Sequence, residues 1–435
     1  MPAAKKSPHS KNLAARAVAN VEKFGAEFGP GLVTGAADDD PSGIATYSQA
    51  GAQFGYGLLW TMILTYPLMS AVQLASAHIG RVTGAGLANN LVKSFPKRVV
   101  GLLIAVLLIA NMINIGADLS AMAASASLVA GGGEHLFVIG FAVVSTLLQL
   151  FVPYREYARF LKWLTLSLFA YVGVVLLVHI DWRSAALGMI WPRNLGRAAL
   201  LTIVAVFGTT ISPYLFFWQS AQEAEEISAS PKAKPIRRSP RSAHAQFRRM
   251  RIDTFVGMAF SNLVALAIML ATAATLNPRG VTQIDTAAQA AEALRPIAGA
   301  FAFGLFAVGI IGTGFLAVPV LAGSAAFAVA EVFGWKEGLE YQPRQAAGFY
   351  SIIVVATVMG VLIDWSPIDP MRALFWSAVL NGLAAVPLMV AMMVVVSSKK
   401  VMGKFTASRL LLLFGWAATL IMALASAAML IGLAG

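Results

Sequence analysis

The sequence predicts an all-helical membrane protein with eleven spans, two of them interrupted. Of its 435 residues, 58% are hydrophobic and 12% are charged, whereas soluble domains carry about a quarter of charged residues. The mean hydropathy is +0.74. Apolar runs of about 17 to 25 residues, long enough to cross a bilayer, recur along the whole chain. Two of these runs contain a proline beside acidic or hydroxyl side chains.

The apolar runs define the domain organisation. A cytoplasmic tail at 1–28 precedes a transmembrane domain at 29–435. The tail has basic residues but no continuous apolar stretch, so it is not a secretory signal, and it is compatible with an amphipathic surface helix. The predicted spans are 29–53, 56–79, 99–129, 136–152, 160–180, 199–223, 253–276, 298–322, 346–363, 370–396 and 408–433.

The distribution of basic residues predicts the orientation. The net charge is +12, from 32 Lys and Arg against 20 Asp and Glu. Most of the basic residues fall on segments that are cytoplasmic if the amino terminus is cytoplasmic, as short-loop lysine and arginine require. The most basic segment is 230–251, which we expect to be a cytoplasmic loop that contacts anionic lipid headgroups. We expect no nucleic-acid binding, because no aromatic residues are interleaved with these charges.

The first span is broken in the middle by GPGLVTGAADDDPSGIATYSQAG, Gly29–Gly51. A carboxylate near the bilayer centre costs at least ~2.5 to 3.5 kcal/mol, so Asp38, Asp39 and Asp40 must face water, a cation or a partner. Pro41 lacks an N–H and Gly43 tolerates non-helical dihedral angles, so nearby carbonyls are freed from the helix. Freed carbonyls beside a carboxylate predict a cation site. The alternative is a proline-kinked helix with a solvated acidic cap.

A second break lies five spans later, in AVFGTTISPYLFFWQSAQEAEE, Ala205–Glu226. Two discontinuous helices at corresponding positions indicate a transporter built from inverted repeats, with its binding site between the breaks. The repeats are then 29–180 and 199–396, and the helix at 408–433 is left over. The residues that interrupt this span are Gly208, Thr209, Thr210, Ser212 and Pro213.

Further polar residues lie within the spans. Asn111, Asn114 and Asp118 fall within about 60° of one helix face, and Asp118 is either functional or an internally paired structural acid. Glu223, Glu225 and Glu226 either line an inner vestibule that concentrates cations or pair with the basic segment that follows.

The two breaks resemble a known family. GPGLVTGAADDDPSGIATYSQAGAQFGYGLLW resembles the first helix of the Nramp divalent-metal transporters, whose usual motif is Asp-Pro-Gly-Asn, and GTTISPYLFFWQS resembles the sixth, where Met-Pro-His is usual. GADLSAMAASASL is similar to the third helix, and SSKKVMG to the connection between the tenth and eleventh. The resemblance implies a LeuT-like fold of five plus five helices with an eleventh appended, helices one and six discontinuous, and alternating access for a divalent cation.

The departures from the family pattern predict a change of ion. Asp40 stands at the family's metal-binding aspartate, but Gly43 replaces its asparagine, Ser212 its methionine and Tyr214 its histidine. Thioether and imidazole suit softer metals, whereas oxygen ligands suit magnesium, calcium and manganese. Magnesium keeps several waters and binds through one or two carboxylates. The chain therefore resembles the magnesium-transporting branch of the family.

The resemblance also bears on protons and on the remaining site residues. Asp118 aligns with the family's third-helix aspartate on the proton path, but the nearby glutamate position is Ala121, and span nine contains no Lys, Arg, His, Asp or Glu, so we expect no strict proton coupling. Asp38 and Asp39 either help to hold a hydrated ion or only cap the half-helix. The predicted metal-site residues are Asp40, Asp39, Gly43, Thr209, Ser212, Tyr214 and Asn381. The predicted ion or proton path comprises Asp38, Asn114, Asp118 and Glu223.

These observations favour a transporter of a hard divalent cation, Mg2+ first and Mn2+ second, in the inner (plasma) membrane. The alternatives are a small organic cation in the same fold, a proton-coupled Mn2+ transporter, or a non-transporting sensor. We expect no enzyme, because GxSxG, HExxH and Walker-type motifs are absent. No cofactor is expected beyond the transported ion, and the absence of cysteine excludes thiolate metal sites.

Overall fold

The chain folds into a bundle of helices. The computed structural model describes residues 30–153, 156, 165–192, 196–229, 233–365 and 368–434. The predicted tail at 1–28 and the start of the fifth span, 160–164, lie outside these residues. The longer helices are α1 (Pro30–Asp38), α2 (Pro41–Phe54), α3 (Trp60–Thr83), α4 (Leu87–Ser94), α5 (Lys97–Ala130), α6 (Glu134–Phe151), α7 (Phe169–Leu177), α8 (Trp182–Ile190), α9 (Arg197–Thr210), α10 (Pro213–Ser228), α11 (Ala243–Thr275), α12 (Ala302–Phe333), α13 (Ala347–Ile363), α14 (Pro370–Ser397) and α15 (Arg409–Ala434).

The helices correspond to the predicted spans. In the described part of the chain, eight helical stretches are long and apolar enough to cross a membrane. The other three predicted spans are the broken pair α1 and α2, the span that ends with α7, and α13, which is apolar but has 17 residues. Both predicted interruptions are present, after Asp38 and after Thr210.

Two helices extend further than their apolar runs. α11 begins at Ala243 instead of residue 253, and α12 ends at Phe333 instead of residue 322. The prediction of a loop over the whole of 230–251 is therefore wrong for its second half. Neither extension contains a proline, so the helical hydrogen bonds continue beyond the apolar region. At 1.5 Å per residue, the 33 residues of α11 span about 50 Å, more than the ~30 Å hydrocarbon core.

The broken helices occupy the centre of the bundle. α1 packs on α10, α11 and α12, whereas α2 packs on α5, α9, α11 and α14. By contrast, only 22% and 33% of the residues in the apolar stretches of α6 and α15 are buried, which places these helices at the periphery of the bundle. The two breaks are thus packed among several helices of the bundle.

Candidate cation site

The first break forms because its residues favour a new helix start. Pro41 is the first residue of α2, where a missing N–H costs nothing. Asp40 is the N-cap, with extended backbone angles of φ −74° and ψ 169°, and its carboxylate accepts the amide N–H of Gly43 at 2.7 Å. The chain is therefore non-helical at Asp39 and Asp40, and the Asp40 carboxylate lies at the positive end of the α2 dipole.

Asp40 is the centre of a buried hydrogen-bond network and is 1% exposed. Its Oδ1 accepts from Ser42 Oγ at 2.6 Å as well as from Gly43 N. Its Oδ2 accepts from Asn114 Nδ2 at 3.2 Å and from the Tyr214 hydroxyl at 3.3 Å. The carboxylate is thereby held by α2, α5 and α10.

Asn114 extends this network to α14. Its Oδ1 accepts from Ser377 Oγ at 2.7 Å while its Nδ2 donates to Asp40. The two contacts fix which end of the amide faces the carboxylate. The sequence predicted Asn114 as part of an ion path, and the structure places it in direct contact with Asp40.

The second break lies against the first. α9 ends at Thr210 and α10 begins at Pro213. Ser212 Oγ donates to the carbonyls of Gly208 at 3.0 Å and Thr209 at 2.7 Å, so its lone pairs stay available as ligands. Thr209 Oγ1 lies 3.4 Å from Ser42 Oγ.

Two tyrosines also join the breaks. The Tyr214 hydroxyl lies 3.2 Å from the carbonyl oxygen of Ala37. The Tyr47 hydroxyl lies 3.2 Å from Thr210 Oγ1. Carboxylate, hydroxyl and carbonyl oxygens therefore surround the region between the half-helices, with the amide nitrogen of Asn114 beside them.

Gly43 keeps the space beside Asp40 narrow but open. A Cβ atom there would lie 3.2 Å from Thr209 Oγ1, 3.2 Å from a ring carbon of Tyr47 and 3.5 Å from Asp40 Oδ1. A larger side chain at this position must displace one of these groups. The glycine thus leaves room for small ligands such as water.

The other two carboxylates of the first break face a different helix. Asp38 Oδ2 and Asp39 Oδ1 lie 2.6 and 3.0 Å from Ser261 Oγ on α11. Among the described residues, no three Asp, Glu or His side chains converge in a way that could hold a metal ion. The acidic triplet is thus divided between two directions.

Asp118 and Asn381 stand apart from the Asp40 network. Asp118 lies one turn from Asn114, and Asn381 lies one turn from Ser377. Both side chains are 0% exposed, and their polar atoms have no hydrogen-bond partner within the described part of the chain. Their predicted roles remain predictions.

Two of the acids that follow the second break, Glu223 and Glu226, form ion pairs. Arg81 on α3 pairs with Glu223 at 2.5 Å and also with Glu226, and Glu226 pairs with Arg249 on α11. The expected pairing with the basic segment therefore holds for Glu226. Glu223 pairs with a residue of α3 instead.

The surroundings of Asp40 differ between the two sides of the membrane. On the predicted cytoplasmic side, Thr34 Oγ1 donates to Gln219 Oε1, and the Gly31 amide donates to Asp253 Oδ2 at 2.7 Å, so α1 is closed against α10 and α11. On the opposite side a cavity of about 440 Å³ begins at Ala45, two residues beyond Gly43. Arg372 lines this cavity and pairs with Asp285 at 2.7 Å.

Three contributors to the site were not predicted from the sequence. Ser42 directly follows the proline of the first break, and this position could have indicated that it belongs to the site. Ser261 and Ser377 each lie in an apolar helix that carries other hydroxyl side chains, and nothing in the linear pattern distinguishes them from those. Their importance arises from which helix each one faces.

Comparison with known proteins decides the family. The model of the family described as "Natural resistance-associated macrophage protein-like", or Nramp, matches residues 31–432. The chain belongs to the Nramp family. The predicted resemblance is therefore confirmed over nearly the whole chain.

Relatives of the chain are named as transporters. The divalent metal cation transporter MntH of Verminephrobacter eiseniae is 28% identical over 318 residues, which cover 69% of each chain. MntH of Klebsiella pneumoniae is 26% identical over 425 residues, 94% of each chain. The prediction of a transporter instead of an enzyme is confirmed.

Solved structures confirm the LeuT-like fold of this Nramp-family chain. The manganese transporter of Eremococcus coleocola has a TM-score of 0.74 at 18% identity, covering 100% of this chain and 90% of that one. Mhp1, a nucleobase-cation-symport-1 family transporter, has a TM-score of 0.58 at 14% identity, covering 94% and 93%. At these identities the likeness concerns the fold alone.

Proposed function

We propose that this Nramp-family chain carries a hard divalent cation, Mg2+ before Mn2+, across the membrane by alternating access and without strict proton coupling. The observation that carries the proposal is the Asp40 carboxylate, buried between two helix breaks and surrounded by oxygen and amide groups. The relatives named as divalent metal cation transporters support the class of substrate.

The ligand chemistry favours a hard ion. Ser212 offers a hydroxyl and Tyr214 a phenol at the second break, and neither supplies sulfur or imidazole nitrogen. Oxygen ligands suit Mg2+, Ca2+ and Mn2+. The space that Gly43 leaves beside Asp40 suits an ion that keeps part of its water shell, as Mg2+ does.

The surrounding side chains argue against a continuous proton relay. A relay needs titratable groups within about 3 Å of one another or joined through one water. Asp118 has no hydrogen-bond partner in the described residues, and α13 contains no Lys, Arg, His, Asp or Glu. The cation is therefore expected to move without a stoichiometric proton.

Asymmetry around the site supports alternating access. α1 is closed against α10 and α11 on one side, while a cavity of about 440 Å³ reaches Ala45 on the other. Opening of α1 would expose Asp40 to the cytoplasm. In this proposal the protein lies in the plasma (inner) membrane with its amino terminus in the cytoplasm. The basic residues of 230–251 then contact anionic lipid headgroups.

A flux assay in proteoliposomes tests the function. Purified protein is reconstituted, and uptake of Mg2+, Mn2+ and Cd2+ is followed with ion-sensitive dyes beside an internal pH dye. We expect saturable Mg2+ and Mn2+ uptake without acidification. Uptake of neither ion above empty liposomes would contradict the proposal, and acidification in step with Mn2+ would favour the proton-coupled alternative.

A further inference from the structure

The carboxylates of Asp38 and Asp39 turn away from Asp40 and meet a hydroxyl of α11. Ser261 Oγ lies 2.6 Å from Asp38 Oδ2 and 3.0 Å from Asp39 Oδ1. All three side chains are almost fully buried, at 0%, 3% and 1% exposed for Asp38, Asp39 and Ser261. Two carboxylates and one hydroxyl thus share a small volume inside the protein.

The packing of α1 on α11 creates this arrangement. Contacts step by four residues along both helices, from Gly31 with Asp253, to Gly35 with Gly257, to Asp39 with Ser261. A Cβ on Gly35 would lie 2.3 Å from the carbonyl oxygen of Gly257, so only glycine permits this closeness. The two acids are brought to Ser261 by backbone contact between the helices.

Asp38, Asp39 and Ser261 together have more hydrogen-bond acceptors than donors. A serine hydroxyl has one proton to donate, and ionised carboxylates only accept. Ser261 can therefore satisfy one of the two carboxylates that lie within 3.0 Å of it. The other oxygen of Asp38, Oδ1, is buried and has no partner among the described residues.

Within the described residues, no positively charged side chain forms an ion pair with either acid. Each ion pair found in the described part of the chain involves other carboxylates, at Glu223, Glu226, Asp285, Glu292 and Asp364. A buried charge is retained when it is paired or coordinates a metal. The unpartnered Asp38 oxygen and the shortage of donors between the carboxylates are balanced either by a proton on one carboxyl or by a bound cation.

We propose that Asp38, Asp39 and Ser261 form a second subsite for a hard divalent cation, on the α1 side of the Asp40 site. Two carboxylates, a hydroxyl and water supply the oxygen ligands that Mg2+ and Mn2+ prefer. The class of ion rests on the function proposed above. The existence of a second subsite rests on the α1–α11 contact alone.

The subsite connects binding to the position of α1. Its ligands come from the end of α1 and from α11, so a cation there bridges the half-helix to its neighbour. Movement of α1 away from α11 separates the carboxylates from Ser261 and dismantles the subsite. The second ion is therefore held while α1 is closed and is released when α1 opens toward the cytoplasm.

The test counts Mn2+ ions on the full-length purified protein by calorimetry and by electron paramagnetic resonance. We expect two ions on the wild type, with dipolar broadening between them. Asp39→Asn and Ser261→Ala should each weaken the second ion on the order of tenfold to a hundredfold and remove the broadening. Asp40→Asn should instead remove the first ion and retain the second.

Matched controls and outcomes separate the two proposals. Thr275→Ala removes another buried hydroxyl of α11, one that bonds only the Ala271 carbonyl, and should keep both ions. One ion that is lost in Asp40→Asn but unaffected by Asp39→Asn and Ser261→Ala would overturn the second subsite and leave the proposed function standing. No ion on the wild type at millimolar Mn2+ would overturn both. If Ser261→Ala does not fold, Asp39→Asn and the broadening decide alone.

Discussion

Asp40→Asn removes one negative charge from the cation site while keeping the size of the side chain. At an effective dielectric of about 20, two unit charges 4 Å apart attract by about 4 kcal/mol, so a divalent ion loses about 8 kcal/mol of attraction. If the retained amide oxygen and water restore half of this, about 4 kcal/mol remains. That corresponds to a loss of affinity on the order of a thousandfold.

The fold should survive this change. Removal of an ionised carboxylate from the membrane interior relieves at least ~2.5 to 3.5 kcal/mol. Against this, the NH2 group of the new asparagine can face the NH2 group of Asn114, which cannot turn over because its oxygen accepts a hydrogen bond from Ser377. A buried donor without an acceptor costs about 1 to 3 kcal/mol. The two effects offset each other to within about 2 kcal/mol.

Calorimetry with Mg2+ and Mn2+, thermal unfolding and proteoliposome flux together measure the effect. Asp369→Asn is the matched control, because Asp369 caps α14 by accepting from Met371 N at 2.9 Å and asparagine caps equally well. We expect flux to be lost in Asp40→Asn and retained in the control. Normal unfolding with Mg2+ flux within tenfold of wild type would refute the role assigned to Asp40.

Three further predictions concern coupling, selectivity and pH. Mg2+ uptake should not acidify proteoliposomes, and a pH dye that reports acidification in step with Mg2+ would contradict this. The double variant Gly43→Asn with Ser212→Met should raise the affinity for Cd2+ by about 1 to 3 kcal/mol, roughly tenfold to a hundredfold, while Mg2+ flux falls. Ser212→Met alone is the control, because a side chain at position 43 would be crowded. Unchanged Cd2+ binding in the double variant would argue against the oxygen-only site. Burial and the charge of Glu225 raise the pKa of Glu337 from 4.5 to about 7. The folded protein then binds more protons than the unfolded chain between pH 4.5 and 7, so its stability should fall as pH rises through that window. Thermal unfolding should show this slope weakened in Glu337→Gln, and equal slopes would exclude Glu337 as its source.

Local chemistry made both helix breaks predictable. Pro41 and Pro213 cannot continue the helix that precedes them. The polar residues beside them are costly in an apolar span unless they face a binding site. The predicted number of spans follows from the length of apolar runs, which a bilayer of fixed thickness imposes. Helix ends were less accurate, as the early start of α11 shows, because helix formers outside the bilayer leave no hydropathy signal.

By itself, the sequence determined that the chain crosses the membrane repeatedly, where two spans are interrupted, and that Asp40 immediately precedes the proline of the first break. Only the tertiary structure decided how the three consecutive aspartates are divided, with Asp40 toward Asn114 and Tyr214 and the other two toward Ser261. These partners lie between 74 and 223 residues away along the chain. Which of them meet depends on how the helices rotate and approach. The rotation and approach of the helices are set by side-chain packing and by glycine contacts such as Gly35 with Gly257. The residue pattern of a single helix does not reveal them.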